Sequence, residues 1–179
     1  ETIIKMEPII VEDTQISEPA RSRLIISERA KGPVSDGGDL LTTIPGISSA
    51  RMGGHGVDPV VRGQSHNRLN ILLDGAYVHG GCPNRMDPPS SYGSSETYDE
   101  VEVIKGSQTV RQGGGGSGGT VLFKRNTKRF TEGEWYRGKV GGGYRGNADG
   151  RAGFADLTVG NTQGYIRIIG NYDNSEHYK

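Results

Sequence analysis

The residues best equipped for chemistry lie in one short stretch: His79, Cys82 and Met86. Cys82 is the chain's single cysteine, with Met86 four residues after it and His79 three before. Thiolate and thioether are soft ligands that together favour Cu(I) over hard cations such as Mg²⁺ or Ca²⁺. His79 is a candidate third donor. Gly80, Gly81, Pro83, Pro88 and Pro89 exclude a regular helix or a central strand, so the stretch is a stiff loop that displays its side chains. Two other uses of the same residues compete. A lone cysteine serves most often as a small buried hydrophobe, and a methionine as core filler. Alternatively, Cys82 is a nucleophile with His79 or His55 as its base. No local signature of a cysteine hydrolase surrounds it.

The elements that hold this loop come from a glycine-rich chain. Glycine accounts for 30 of the 179 residues and hydrophobic residues for only 32%, against a usual glycine share of about 7%. That composition suits turns, close backbone approach and thin sheets better than helical bundles. The 21 basic and 21 acidic residues balance, so no global field points to nucleic acid. One cysteine allows no internal disulfide. No run of 18 apolar residues appears, which does not exclude a membrane, because barrel strands give only weak alternating signals.

Residues 1–12 read as an extended arm followed by a short strand near Ile9–Val11. Residues 13–34 are polar and broken by prolines, with one apolar patch at Leu24-Ile25-Ile26. Ser35 and Asp36 supply cap chemistry for a short helix running through Leu40, Leu41 and Ile44, stopped by Pro45-Gly46. Ile47–Arg51 and Val60–Gly63 are strand-like around a glycine-rich turn at 53–56. Arg68–Val78 reads as two strands meeting at Asp74-Gly75. Tyr98–Gly106 alternates apolar and charged residues, the pattern of a half-buried strand. Arg62 and Arg68 are candidate partners for Glu100 and Glu102. The Gly113–Gly119 run lacks the Gly-Lys-Ser/Thr of a phosphate-binding loop and precedes the strand Val121–Lys124.

Beyond Thr131 the texture changes. Tyr136, Val140 and Tyr144 fall on one face of an alternating segment, with Arg137, Lys139 and Arg145 on the other. Two more segments follow, near 151–159 and 164–172. Alternating segments of about ten residues are the signature of transmembrane barrel strands.

Taken in order, Asp39-Leu40-Leu41, Ile44-Pro45-Gly46-Ile47, Val61-Arg62-Gly63 and Ile71-Leu72-Leu73-Asp74-Gly75 resemble the plug domain of TonB-dependent outer-membrane receptors. Val101–Gly106 and Gly118-Gly119-Thr120-Val121 continue the resemblance, which covers roughly residues 36–127. It implies an α+β plug domain, a small mixed sheet with short helices, followed by the first few strands of a transmembrane β-barrel. The implied division is an N-terminal arm at 1–34, the plug at 35–130 and the first barrel strands at 131–179.

Within the family, the loop from His79 to Pro89 is similar to that of the copper receptors, whose plug contributes a Cys-x-x-x-Met pair. That pair maps onto Cys82 and Met86. The implied function is copper uptake, as Cu(I), across the outer membrane, with no enzymatic step. Implied partners are the TonB energy-coupling protein, the remainder of a 22-strand barrel and outer-membrane lipid, but no nucleic acid. Glu1-Thr2-Ile3-Ile4 is similar to the start of a TonB-coupling box, although Lys5-Met6-Glu7 replaces the Val-x-Ala that usually follows. A ferric siderophore or another metal chelate is the alternative cargo.

Overall fold

The computed structural model describes residues 20–26, 36–51, 56–106, 112–126, 129–146 and 149–174. The expected coupling segment, the strand near Ile9–Val11 and His55 lie outside these residues.

The first part is built on a mixed five-stranded sheet in the order β1-β6-β7-β4-β5. Its strands are β1 (Arg21–Ile25), β4 (Leu69–Leu73), β5 (Ala76–Tyr77), β6 (Glu100–Lys105) and β7 (Gly119–Lys124). Only β4 and β7 run parallel; the other neighbours are antiparallel. A separate hairpin pairs β2 (Ile47–Arg51) with β3 (Val57–Val61). The turn at Asp74-Gly75 joins β4 and β5 as expected, with both residues at positive φ (50° and 85°). Gly119 opens β7 at φ +145°, where a Cβ would sit 2.5 Å from the Ile104 carbonyl. Only glycine fits there, so the glycine run is the entry to a central strand.

Alternation decides where the core sits. Leu24 of β1, Val101 and Val103 of β6, Val121 and Phe123 of β7 and Ile71 of β4 face one side, and Leu41 and Val61 belong to the same buried cluster. Leu72, Ile104 and Leu122 make a smaller cluster on the other side. The expectation of a half-buried β6 needs correction, because all six of its residues are buried. Its carboxylates tolerate burial because cations meet them. Arg23 reaches Glu100 at 2.6 Å, and Arg21 reaches Glu102 at 2.7 Å with Lys124 also in contact. The cations seen at these glutamates are thus Arg21, Arg23 and Lys124, while Arg68 donates to Gln64.

The helix α1 (Gly37–Leu41) starts at Asp36, whose Oδ1 accepts from the Gly38 amide at 2.7 Å. It ends earlier than expected. The amides of Thr42, Thr43 and Ile44 each bond three residues back, and both threonine hydroxyls return to helix carbonyls. Such back-bonding competes with the helical ladder and tightens the last turn.

The later part is a meander of β8 (Tyr136–Arg145), β9 (Gly150–Gly160) and β10 (Tyr165–Asn174) in the order β10-β9-β8. Its register puts Tyr136 opposite Val159 and Ile166 opposite Val159, so one face is apolar. That face is open: Val140 is 86% exposed and Ile166 71%.

Candidate functional site

The loop after β5 is closed by its own backbone. The Gly81 amide donates to the Asp87 carbonyl at 3.0 Å, and the Asp87 amide returns to Gly81 at 3.5 Å. Inside this closure, Pro83–Arg85 forms one turn of 3₁₀ helix, with the Arg85 amide bonded to the Cys82 carbonyl at 3.2 Å. A second such turn, Pro89–Ser91, follows. There the Ser90 hydroxyl donates to the Val57 carbonyl at 2.9 Å, tying the loop to the start of β3. The prolines thus start short 3₁₀ turns, as their fixed φ allows.

Cys82 is a free, exposed thiol, and Met86 is 41% exposed. Both sulfur side chains reach solvent, so neither is the core filler that composition alone favours. Cys82 sits at φ 62°, ψ 158°, a region almost reserved for glycine. Such a conformation costs about 1–3 kcal/mol and persists only where its surroundings enforce it. Arg85, at φ 52°, is a second left-handed residue in the same loop.

The thiol donates to the Asp87 carboxylate at 3.1 Å. That hydrogen bond, then the carboxylate's charge, then partial burial push the Cys82 thiol above its ordinary value. A nucleophilic cysteine needs the opposite shift, so the geometry does not suit a hydrolase.

His79 is exposed, and its ring meets Tyr77 edge-on with centroids 4.6 Å apart. Among the described residues, no three His, Cys, Asp or Glu side chains converge closely enough to hold a metal ion. The loop thus presents two sulfur side chains and a neighbouring carboxylate.

Several residues at this site are not evident from the loop's soft donors alone. Asp87 lies in the same loop, and its position as the closing residue is its only sequence signal. The Tyr92 hydroxyl sits 2.6 Å from the Gly81 amide. Asp58, an acidic residue inside the apolar Val57–Val61 strand, is fully buried. A charge in such a strand demands a partner, and that demand was the readable signal.

Residues 21–120 match a family model described as the TonB-dependent receptor plug domain. The chain belongs to that family. Receptors of this family are outer-membrane β-barrel proteins, and the relatives found are transporters and receptors rather than enzymes. A solved structure of the copper transporter OprC is 43% identical, with a TM-score of 0.77 over 90% of this chain and 24% of that one. The ferric enterobactin receptor PirA of Pseudomonas aeruginosa is 29% identical over 119 residues, 57% of this chain and 16% of the relative. The probable TonB-dependent receptor BfrD of Bordetella pertussis is 29% identical over 144 residues, 72% of this chain and 18% of its own. The chain thus spans less than a quarter of the length of each.

In the TonB-dependent receptor plug, one carboxylate faces the strands that follow it. Asp99, just before β6, accepts from Lys139 of β8 at 2.7 Å and from Arg167 of β10 at 3.3 Å. Arg167 also binds Asp156 of β9 at 2.5 Å. Burial raises the Asp99 pKa, but the Lys139 hydrogen bond, the Asn126 amide and the two cations outweigh it and leave the carboxyl below its usual range. This polar contact lies on the face of the meander opposite its apolar one.

Proposed function

We propose that this chain is the plug, with the first barrel strands, of an outer-membrane receptor that takes up copper, captured as Cu(I) on Cys82 and Met86. The observation that carries the reading is the exposure of both sulfur side chains on one loop whose backbone is held in a strained conformation. Soft donors displayed in this way suit a soft cargo ion. The similarity to the copper transporter OprC supports the same cargo. His79 is the candidate third donor from the plug, and the remaining ligands come from the barrel beyond this chain.

The proposed division is an arm at 1–34, a plug at 35–130 and barrel strands at 131–179. The arm offers Thr2-Ile3-Ile4 to TonB as an added strand, while the apolar face of β8–β10 meets lipid. Trp135 and Tyr136, both exposed and in tilted ring contact with centroids 4.5 Å apart, suit the aromatic girdle of such a barrel. The relation to a ferric enterobactin receptor favours a ferric chelate as the second reading of the cargo.

The test is an anaerobic Cu(I) titration of the full-length receptor against a competing chelator. Cys82→Ser is expected to weaken binding more than Met86→Leu, because it removes a thiolate and its charge whereas the thioether is neutral. The isolated chain is expected to bind less tightly than the whole receptor. Unchanged affinity in Cys82→Ser, together with uptake of a ferric chelate, would transfer the assignment to the second reading.

A further inference from the structure

We propose that Arg85, lying between the two sulfur residues, is the positioning residue of the copper loop, locking it to the plug core through buried Asp58 and through Asn67. This inference rests on the copper reading of Cys82 and Met86 and adds how their presentation is maintained.

The Arg85 side chain is only 11% exposed although its loop lies at the surface. It turns inward. One guanidinium nitrogen donates to the Asn67 side-chain oxygen at 3.2 Å, and another stands 3.7 Å from Oδ1 of Asp58. Asp58 is completely buried, and its Oδ1 has no hydrogen bond among the described residues. Its other oxygen accepts from the His66 amide at 3.2 Å and lies 3.3 Å from the His66 ring Nδ1. A completely buried carboxylate needs a partner, and the Arg85 guanidinium comes within 3.7 Å of it.

The path of the arginine is built into the loop. A Cβ on Gly80 would stand 2.8 Å from the Arg85 Nε and 2.9 Å from its Cγ, so the stem crosses Gly80 where no side chain fits. Pro88 closes the loop from the other end, with its ring where a Cβ on Gly56 would lie, at 2.7 Å. The loop therefore meets the start of β3 at Pro88, Ser90 and Arg85. Among the described side chains between Cys82 and Met86, Arg85 is the one that does so. Both Cys82 and Arg85 hold left-handed backbone, which relaxes unless something outside the loop restrains it. The guanidinium supplies such a restraint, with one nitrogen hydrogen-bonded to Asn67 and another in ion-pair range of Asp58. A lysine has a single nitrogen to divide between the two.

The experiment uses the full-length receptor with Arg85→Met, Arg85→Lys, Asp58→Asn and Asn67→Ala, and with Cys82→Ser as reference. Cu(I) alone is titrated anaerobically against a chelator, and amide exchange is followed over residues 81–87. Arg85→Met is expected to weaken Cu(I) about tenfold or more and to speed exchange of the Arg85 and Asp87 amides by a similar factor. Arg85→Lys recovers only part of the loss. Asp58→Asn combined with Arg85→Met is expected to be no worse than the poorer single variant, since one contact is removed twice. Asn67 is exposed, so Asn67→Ala keeps the fold and shows a smaller loss, even if the buried variants do not fold. Wild-type affinity and wild-type exchange in Arg85→Met or Asn67→Ala overturn the anchor, while loss of binding in Cys82→Ser leaves the copper reading standing. Intact binding in Cys82→Ser removes the copper reading instead, and the exchange rates alone then decide whether Arg85 holds the loop.

Discussion

At the scale of single residues, the loop sets stability against display. Cys82 occupies backbone space that suits glycine, so the thiol is carried at a conformational cost. Comparing Cys82→Ala with Cys82→Gly isolates that cost, since both lack the sulfur. Relief of about 1–3 kcal/mol of strain exceeds the roughly 0.5–1 kcal/mol that glycine loses in backbone entropy. The glycine variant is therefore expected to be the more stable of the two by about 1 kcal/mol. Urea denaturation of the two variants checks this, and equal midpoints would show that the backbone relaxes without cost. Asp87 adds a second effect, because its hydrogen bond keeps the thiol protonated to a higher pH than usual.

At the scale of elements, β1 is an edge strand fastened by charge. It pairs with β6 over five residues, and Arg23 meets Glu100 across that pairing. The hydrogen bond from Arg23 comes first among the causes that hold the Glu100 carboxyl below its usual range. A carboxylate whose folded pKa is depressed contributes stability that is present above the unfolded value, about 4.3 for glutamate. That contribution is lost as pH falls through the lower folded value. The docking of β1 is thus expected to loosen below about pH 4, seen as faster amide exchange at 21–26 after correction for intrinsic rates. Arg23→Met should flatten that dependence; an unchanged profile in the variant would assign the acid sensitivity to other carboxylates. Within the sheet, Phe123 is nearly fully buried against Tyr98, with ring centroids 5.4 Å apart. Phe123→Ala is expected to cost about 3–5 kcal/mol, measured by the same denaturation.

At the scale of the whole molecule, two sheets of different character meet at Asp99. The strands after 134 form a paired sheet, since β9 pairs along its length with both β8 and β10. Among the described residues, β8 and β10 are the outer strands of this sheet and its apolar face is exposed, both of which favour opening. Amide exchange is therefore expected to be slowest in β6 and β7 and at least tenfold faster across 136–174. Asp99→Asn removes the charge that both Lys139 and Arg167 meet. A partly exposed pair contributes no more than about 1 kcal/mol, so the variant should speed exchange of β8–β10 several-fold and leave β6 and β7 unchanged. Uniform protection across both sheets would refute this division.

What the sequence determined by itself was local. The residue types at 79, 82 and 86, the loop imposed by prolines and glycines, the Asp74-Gly75 hairpin and the alternation of β8 depend on neighbouring residues alone. They were legible because turn chemistry and two-residue periodicity act within a few positions. The family, too, could be read from the order of its short motifs. Partner choice could not. Arg23 meets Glu100 from 77 residues away, because strand order places β1 beside β6, and no local pattern favours it over Arg62 or Arg68. The full burial of β6 has the same cause, since alternation cannot say that Arg21, Arg23 and Lys124 of the neighbouring strands lie over its charged face. At the loop, only the tertiary structure set Asp87 against the thiol and aimed Arg85 at Asp58. Buried charge selects its partner by three-dimensional proximity and desolvation, and neither quantity is written in the spacing of the chain.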